Sequence, residues 1–360
     1  MHAEIYHRLS RHLHLHPLGF PDTTTGVGLG VLEKLFTEEE AALAVELTPR
    51  AQTVEALAKR LGRELPDLLL LLDEMVRKGL ILRVSEKGQG HYMMVPFMPG
   101  IWEFQVKTID KELAEKFEEF LPELQKEIFT AEPPMLRVVP LEKVISIDIG
   151  IEPYERASHL VAQAGEKGKI GLMDCLCRKE RKLLGKGCDR PRDEVCLTFS
   201  PVAEQYIEQD LAREVKVEEA LKALGRGAQA GLVHSTVNLQ NNPTLMCQCC
   251  SCCCPVLGSM YGLKFPQAMA KSNFTPAIDQ EYCNGCAACE QACPMDALHL
   301  QDEKAAVDRE RCIGCGLCAL ECPTGAISLK RKQETTIPPV SWLGLMTSLA
   351  REKGRTYFYK

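Results

Sequence analysis

The chain has 360 residues, of which 45% are hydrophobic and 26% are charged, and its formal net charge is −6. This length predicts two or three domains, and the composition excludes a largely disordered or fibrous chain. The mild acidity argues against a surface built as a whole for nucleic acid. The unusual feature is the cysteine content, 18 residues, and most of the functional argument depends on it.

The beginning of the sequence lacks the uninterrupted apolar stretch of a secretory signal, and no apolar run approaches the roughly 20 residues of a membrane helix. We therefore expect a cytoplasmic protein without a membrane span. Thiols stay reduced in that compartment, and adjacent cysteines such as Cys249 and Cys250 are poorly placed for disulfides. Metal-binding thiolates are the better interpretation of the cysteines.

The fold class predicted from these patterns is an α+β multidomain chain. Its parts are an N-terminal segment (1–27), a largely helical domain with a short extended end (28–96), an irregular α/β Cys-rich middle domain (97–272), a domain with a repeated cysteine pattern (273–332) and a C-terminal tail (333–360). The N-terminal segment carries His12, His14 and His16, which we expect to be solvated rather than bound to metal. An apolar stripe in the tail predicts a helix that covers the core or contacts a partner.

Residues 28–96 have the pattern of a winged helix. Helices are predicted over 53–61 and 65–78, and a strand–turn–strand hairpin follows over 80–95. The second helix has almost no side chains suited to reading base edges, and residues 30–90 contain nine Lys/Arg against eleven Asp/Glu. We therefore favour a docking or dimerisation module over DNA binding.

Residues 279–330 contain the same cysteine spacing twice, at a period of 29 residues. Cys283-x2-Cys286-x2-Cys289-x3-Cys293-Pro294 is repeated as Cys312-x2-Cys315-x2-Cys318-x3-Cys322-Pro323. Three closely spaced thiolates can bind three irons of one cubane, and the fourth binds the other cluster. The predicted ligand sets are therefore Cys283, Cys286, Cys289 and Cys322 for one 4Fe-4S cluster, and Cys312, Cys315, Cys318 and Cys293 for the second.

This stretch resembles the bacterial-type ferredoxins that bind two 4Fe-4S clusters. The resemblance implies single-electron transfer without bond chemistry. Residues 279–330 contain four Lys/Arg and nine Asp/Glu, so we expect this domain to meet a basic surface on a redox partner.

Ten further cysteines lie upstream of the repeat. The predicted metal ligands there are Cys175, Cys177, Cys188, Cys196, Cys247, Cys249, Cys250, Cys252, Cys253 and Cys254. They suffice for one or two further 4Fe-4S clusters, and the seven Lys/Arg within 178–192 would stabilise an anionic cluster. Zinc is less favoured because Cys175-x-Cys177 is not the usual C-x2-C spacing. Each sequence group could hold its own cubane, the two groups could exchange ligands, or the surplus thiolates could hold a catalytic non-cubane cluster.

Nearly the whole chain resembles a family of anaerobic "4Fe-4S dicluster" proteins. The residues that carry the resemblance are Gly19-Phe20-Pro21, the winged-helix segment, Trp102-Glu103-Phe104-Gln105, Cys175-Leu-Cys177-Arg178, Glu218-Glu219-Ala220 with Gly231-Leu232-Val233, the cysteine-dense run at 247–254 and the ferredoxin repeat. The resemblance implies a domain content and no settled reaction.

The function predicted from the sequence is electron transfer, as a subunit or electron carrier of an anaerobic redox enzyme complex. We predict no catalytic residue, because no flavin, nicotinamide or molybdopterin signature accompanies the clusters. The expected partner is a redox protein such as a flavin- or metal-containing oxidoreductase, with nucleic acid disfavoured and an oligomer left open. The alternatives are a redox-sensing transcriptional regulator and an oxidoreductase with a catalytic cluster at 247–254.

Overall fold

The computed structural model describes residues 2–86, 88–146, 149–262 and 264–355. The helices are α1 His2–His14, α2 Val27–Leu35, α3 Glu38–Ala44, α4 Val54–Leu61, α5 Leu65–Arg77, α6 Lys111–Phe129, α7 Ala157–Lys167, α8 Leu176–Leu183, α9 Val202–Glu208, α10 Val217–Gln229, α11 Pro255–Tyr261, α12 Ala288–Gln291, α13 Leu317–Leu320 and α14 Trp342–Glu352. The strands are β1 Gln52–Thr53, β2 Leu82–Glu86, β3 Gln89–Met93, β4 Leu136–Val138, β5 Ile170–Met173, β6 Cys196–Phe199, β7 Ala212–Val215, β8 Val233–Val237, β9 Leu245–Cys249, β10 Met269–Ala270, β11 Phe274–Ile278, β12 Leu298–Gln301, β13 Lys304–Val307 and β14 Ile327–Arg331. The protein is therefore a mixture of helices and strands, as the sequence predicts.

The region predicted as a winged helix contains α4, α5 and a three-stranded sheet in the order β1-β3-β2. Helix α4 begins after Thr53, whose side chain accepts a hydrogen bond from the amide of Ala56, and ends at Gly62 with φ of 64°. Leu68, Leu72 and Met75 of α5 are completely buried. The core therefore accounts for both ends of the run of five leucines at 68–72. The elements lie close to their predicted bounds, and the assignment to the winged-helix class stays a prediction.

The N-terminal segment differs from the solvated segment that the sequence predicts. It forms α1, whose apolar residues enter the main core, and His16 is buried. His12 Nε2 lies 2.8 Å from the carbonyl oxygen of Leu47, and His14 Nδ1 lies 2.9 Å from that of Phe20. These histidines therefore fix the packing of the segment.

The tail forms α14 and packs on the same core, where Leu345, Met346 and Leu349 are completely buried. Of the two roles that the sequence left open, the structure supports a cover for the protein's own core. No helix within the described residues is both long and apolar enough to cross a membrane.

The middle of the chain is more regular than predicted. It contains a seven-stranded sheet in the order β10-β4-β8-β9-β6-β5-β7, in which only β10 and β4 are parallel. Helices α7 and α10 pack on this sheet through an apolar core that includes Leu172, Phe199 and Met246. The middle is therefore not irregular as predicted, because the sheet and its helices share an apolar core that contains no cysteine.

In the cysteine repeat, β11 pairs with β14 and β12 forms a hairpin with β13. The repeat is joined to the middle of the chain by a bridge between Ile145 and Leu329 and by a 3.0 Å hydrogen bond from the Leu141 amide to the carbonyl of Cys315. One of its two cysteine loops therefore lies against the rest of the protein.

Candidate metal centres

Two small cavities lie within the cysteine repeat. One is lined by Cys293, Cys312, Cys315 and Cys318, and the other by Cys283, Cys286, Cys289 and Cys322. The last cysteine of each repeat thus lines the cavity of the other repeat. This is the grouping that the interleaved ligand sets require, and the residues fit two 4Fe-4S clusters in donor type and number.

The two cavities differ in burial. Cys312, Cys315 and Cys318 are all buried, and burial raises the pKa of the Cys315 thiol to about 12. In the other cavity Cys286 is exposed, and hydrogen bonds from the amides of Ala305 and Gly285 lower the pKa of Cys283. We call these the inner and the outer ferredoxin site.

Backbone conformation at two glycines shapes both loops. Gly285 and Gly314 have φ of 71° and 70°, and a side chain at either would overlap a carbonyl oxygen, that of Glu303 or that of Phe274. Positive φ and close backbone packing therefore require glycine at both positions. Backbone amides also donate hydrogen bonds to cysteine sulfurs in this region, at 3.4 Å from Ala305 to Cys283 and at 3.2 Å from Ala297 to Cys293.

The ten upstream cysteines divide differently from their order in the sequence. Cys188 joins Cys250, Cys252 and Cys253, and the four Sγ atoms all lie within 4.8 Å of one another. Cys188 lies between α8 and β6, and the other three lie in the turn between β9 and α11. We call this set the four-cysteine group.

The side chains of the other six lie next to one another in the order Cys177, Cys175, Cys196, Cys247, Cys249 and Cys254. We call this set the six-cysteine group. The pKa of Cys175 is lowered because the thiols of Cys177 and Cys196 donate to it, and that of Cys249 is lowered by the thiols of Cys247 and Cys254. The same interactions raise the pKa of the other four thiols, so Cys175 and Cys249 are the two sulfurs of the group that carry negative charge most readily.

Strand geometry places two cysteines of the six-cysteine group on the same face of β9. Side chains alternate between the faces of β9, so Cys247 and Cys249 lie on one face and Gln248 on the other. Gln248 Nε2 donates to the carbonyls of Val195 and Ala223, at 2.7 and 3.2 Å, which holds the strand in this orientation. The Ser235 Oγ on the neighbouring strand lies 3.3 Å from Cys249 Sγ.

Arg178 lies between the two upstream groups and is only 3% exposed. Its Nη1 donates to the carbonyl of Gln248 at 3.1 Å and to Cys250 Sγ at 3.6 Å. Burial lowers the pKa of Arg178, but the negative charge of Cys175 and the hydrogen bond to Cys250 have the larger effect, so the pKa is raised. Its Nε and Nη2 are buried and have no hydrogen-bond partner among the described residues. A bound anionic cluster, with sulfides as acceptors, would satisfy these two donors.

Other cations of the basic stretch, which the sequence predicts to stabilise an anionic cluster, form their contacts elsewhere. Arg181 and Lys186 pair with Glu118 at 2.7 and 2.9 Å. Arg190 donates to the carbonyls of residues 230 and 231. Arg178 is therefore the cation that the structure associates directly with cysteine sulfur.

Comparison with known proteins gives one family for part of the chain. Residues 270–335 match the family model of the 4Fe-4S dicluster domain. The chain has no significant match among curated proteins or solved structures. The prediction of a ferredoxin-like segment is confirmed, and the chain is an iron–sulfur protein with a 4Fe-4S dicluster domain and a further Cys-rich site suited to metal.

Proposed function

We propose that the protein transfers single electrons, through the inner and outer ferredoxin sites, between a redox partner and a third 4Fe-4S cluster in the six-cysteine group. The observation that carries this proposal is the pair of cavities, each lined by four cysteines from both repeats, within the matched dicluster domain. Clusters of this type accept and release one electron without bond chemistry.

The burial of the outer and inner ferredoxin sites suggests where electrons enter from a partner and where they pass into the protein. Cys286 is exposed at the outer site, where a partner can approach, whereas the inner site lies against the middle of the chain through Cys315. Negative charge prevails on this domain, so a basic partner surface would be attracted to it.

Helix α11 supplies a short physical connection between the six-cysteine group and the inner site. Cys254 is the residue before its first turn, and Tyr261 is its last residue. The Tyr261 hydroxyl donates to Asp296 at 2.6 Å, three residues after Cys293 of the inner site. At about 1.5 Å per residue the helix covers about 10 Å, which supports electron exchange between the two sites.

The test is anaerobic reduction of the full chain, followed by electron paramagnetic resonance and by oxidation with a basic one-electron acceptor protein. We expect signals of reduced 4Fe-4S clusters and an oxidation rate that falls as salt rises. Cys286→Ser should slow the oxidation, whereas Tyr282→Phe, an exposed change nearby, should not. Absence of any reducible cluster would contradict the proposal.

A second candidate is an oxidoreductase with a catalytic cluster, and one observation favours it. The six-cysteine group has two more sulfurs than a cubane uses, which would suit a non-cubane cluster, and catalysis would also require an iron with an exchangeable ligand. Small thiols or disulfides should then alter the spectrum of this cluster alone. Spectra that ignore such ligands at every cluster would leave electron transfer as the function.

Contacts of the N-terminal region favour a docking module over a DNA-binding regulator. Gln205 of α9 accepts from the amide of Arg83 at 2.8 Å and donates to the carbonyls of Val76 and Ile81. Arg83 also pairs with Glu208 at 2.6 Å. Strand β2 and the end of α5 thus serve a contact within the protein.

A further inference from the structure

The four-cysteine group is too compact for an iron–sulfur cubane. Its four Sγ atoms lie within 4.8 Å of one another, and Cys188 and Cys253 are 3.5 Å apart. Four thiolates at about 2.3 Å from one tetrahedral ion stand about 3.8 Å apart, which matches this spacing. In a cubane each thiolate binds a different iron, so the sulfurs stand further apart.

The ferredoxin sites give an internal comparison. Within the described part of the chain, the four-cysteine group alone brings three or more candidate ligand atoms within 4.8 Å. The cysteines that line the two ferredoxin cavities are not gathered this closely. The two kinds of site are therefore distinguished by geometry within one protein.

We propose that Cys188, Cys250, Cys252 and Cys253 bind a single metal ion in a tetrahedral site of four thiolates. A site of four sulfurs without nitrogen or oxygen ligands selects zinc or a single iron. Arg178 donates to Cys250 Sγ at 3.6 Å, which stabilises one of the thiolates. The proposal does not depend on electron transfer, and it reduces the further 4Fe-4S clusters predicted from the upstream cysteines to one.

The ion would also position the six-cysteine group. Cys249 and Cys250 are neighbours in sequence but belong to different groups, and so do Cys253 and Cys254. An ion that closes the turn from 250 to 253 onto Cys188 therefore fixes the backbone that presents Cys249 and Cys254. This explains why so many cysteines occupy one short segment.

The test compares the total of bound iron and zinc with acid-labile sulfide in the full chain purified without oxygen. A cubane adds metal and sulfide equally, whereas a single ion adds metal alone, so metal should exceed sulfide by about one per chain. The double variant Cys188→Ser with Cys253→Ser should lose this excess, even if it also loses a neighbouring cluster. Ser251→Ala, in the same turn but outside the group, should keep it.

The wild-type protein gives a reading that does not depend on how the variant folds. Zinc-edge X-ray absorption should show four sulfur neighbours at about 2.3 Å and no iron neighbour. If the ion is iron, Mössbauer spectra should contain a single-iron component beside the clusters. No excess of metal over sulfide, an excess that the double variant keeps, or bound iron that is all in clusters without zinc would overturn the proposal.

Discussion

Arg178 is a buried cation in contact with cysteine sulfur, and its effect on nearby clusters can be estimated. A unit charge about 6 Å from a cluster changes its reduction free energy by about 2–3 kcal/mol at an effective dielectric constant near 20, which is about 100 mV for one electron. Adding an electron to an anionic cluster is easier beside a cation. The residue should therefore raise the potential of the cluster in the six-cysteine group.

We predict that Arg178→Gln lowers the midpoint potential of one cluster by about 100 mV, and that Arg178→Lys, which keeps the charge, restores most of it. The measurement is an anaerobic potentiometric titration monitored by electron paramagnetic resonance. Arg192→Gln is the matched control, because Arg192 lies in the same basic stretch and pairs with Asp193. Potentials that do not change in Arg178→Gln would contradict this role.

The ferredoxin ligands could be predicted from the sequence because each loop supplies three of them at a regular spacing. The grouping of the upstream cysteines could not, because Cys188 and Cys253 are 65 residues apart and meet only through the fold. Alternation along β9 was a usable signal, since it predicts that Cys247 and Cys249 share a face. It could not reveal which cysteines of the other segment lie opposite them.

At the scale of elements, α14 is held to the core by one carboxylate as well as by its apolar stripe. Glu127 of α6 binds Lys353 and Arg355, both at 2.7 Å, and Arg355 also donates to the carbonyls of His16 and Pro17. Burial would raise the pKa of Glu127, but these cations outweigh it and lower the pKa below 4.5. The ion pairs of Glu127 therefore stabilise the packing of α14 fully above pH 4.5, and this stabilisation is lost as the pH falls through the lowered pKa.

We predict that Glu127→Gln loosens α14 by about 2 kcal/mol at neutral pH, between the values for surface and buried ion pairs. Hydrogen exchange in α14 should then be about 30-fold faster, whereas β8 should be unaffected. Glu352→Gln, an exposed change on α14 itself, serves as the control. Equal protection of α14 in the two variants would show that the apolar stripe alone holds the helix.

The helices and strands between residues 53 and 95 could be predicted from the sequence because caps and apolar periodicity are local signals. Thr53 and Gly62 mark the two ends of α4 in this way. The seven-stranded sheet could not be predicted, because its strands are short and separated by helices, and β4 and β10 are far apart in the sequence. The regular middle domain was therefore missed.

At the scale of the whole molecule, the proposed electron route begins at an exposed site. The outer ferredoxin site has an exposed cysteine, the inner site contacts the middle of the chain, and α11 leads from there to the six-cysteine group. The four-cysteine group lies beside this route, and an ion bound there would fix the turn between β9 and α11. We therefore predict three clusters that carry electrons and one metal ion that takes no part in electron transfer.

The most direct test of this account is the content of iron, zinc and sulfide per chain, measured with Mössbauer spectra on protein purified without oxygen. The account predicts about twelve irons and about twelve sulfides in three 4Fe-4S clusters, with one additional zinc or single iron. About eight irons and eight sulfides, with any remaining metal bound as single ions, would contradict the third cluster and confine electron transfer to the ferredoxin sites.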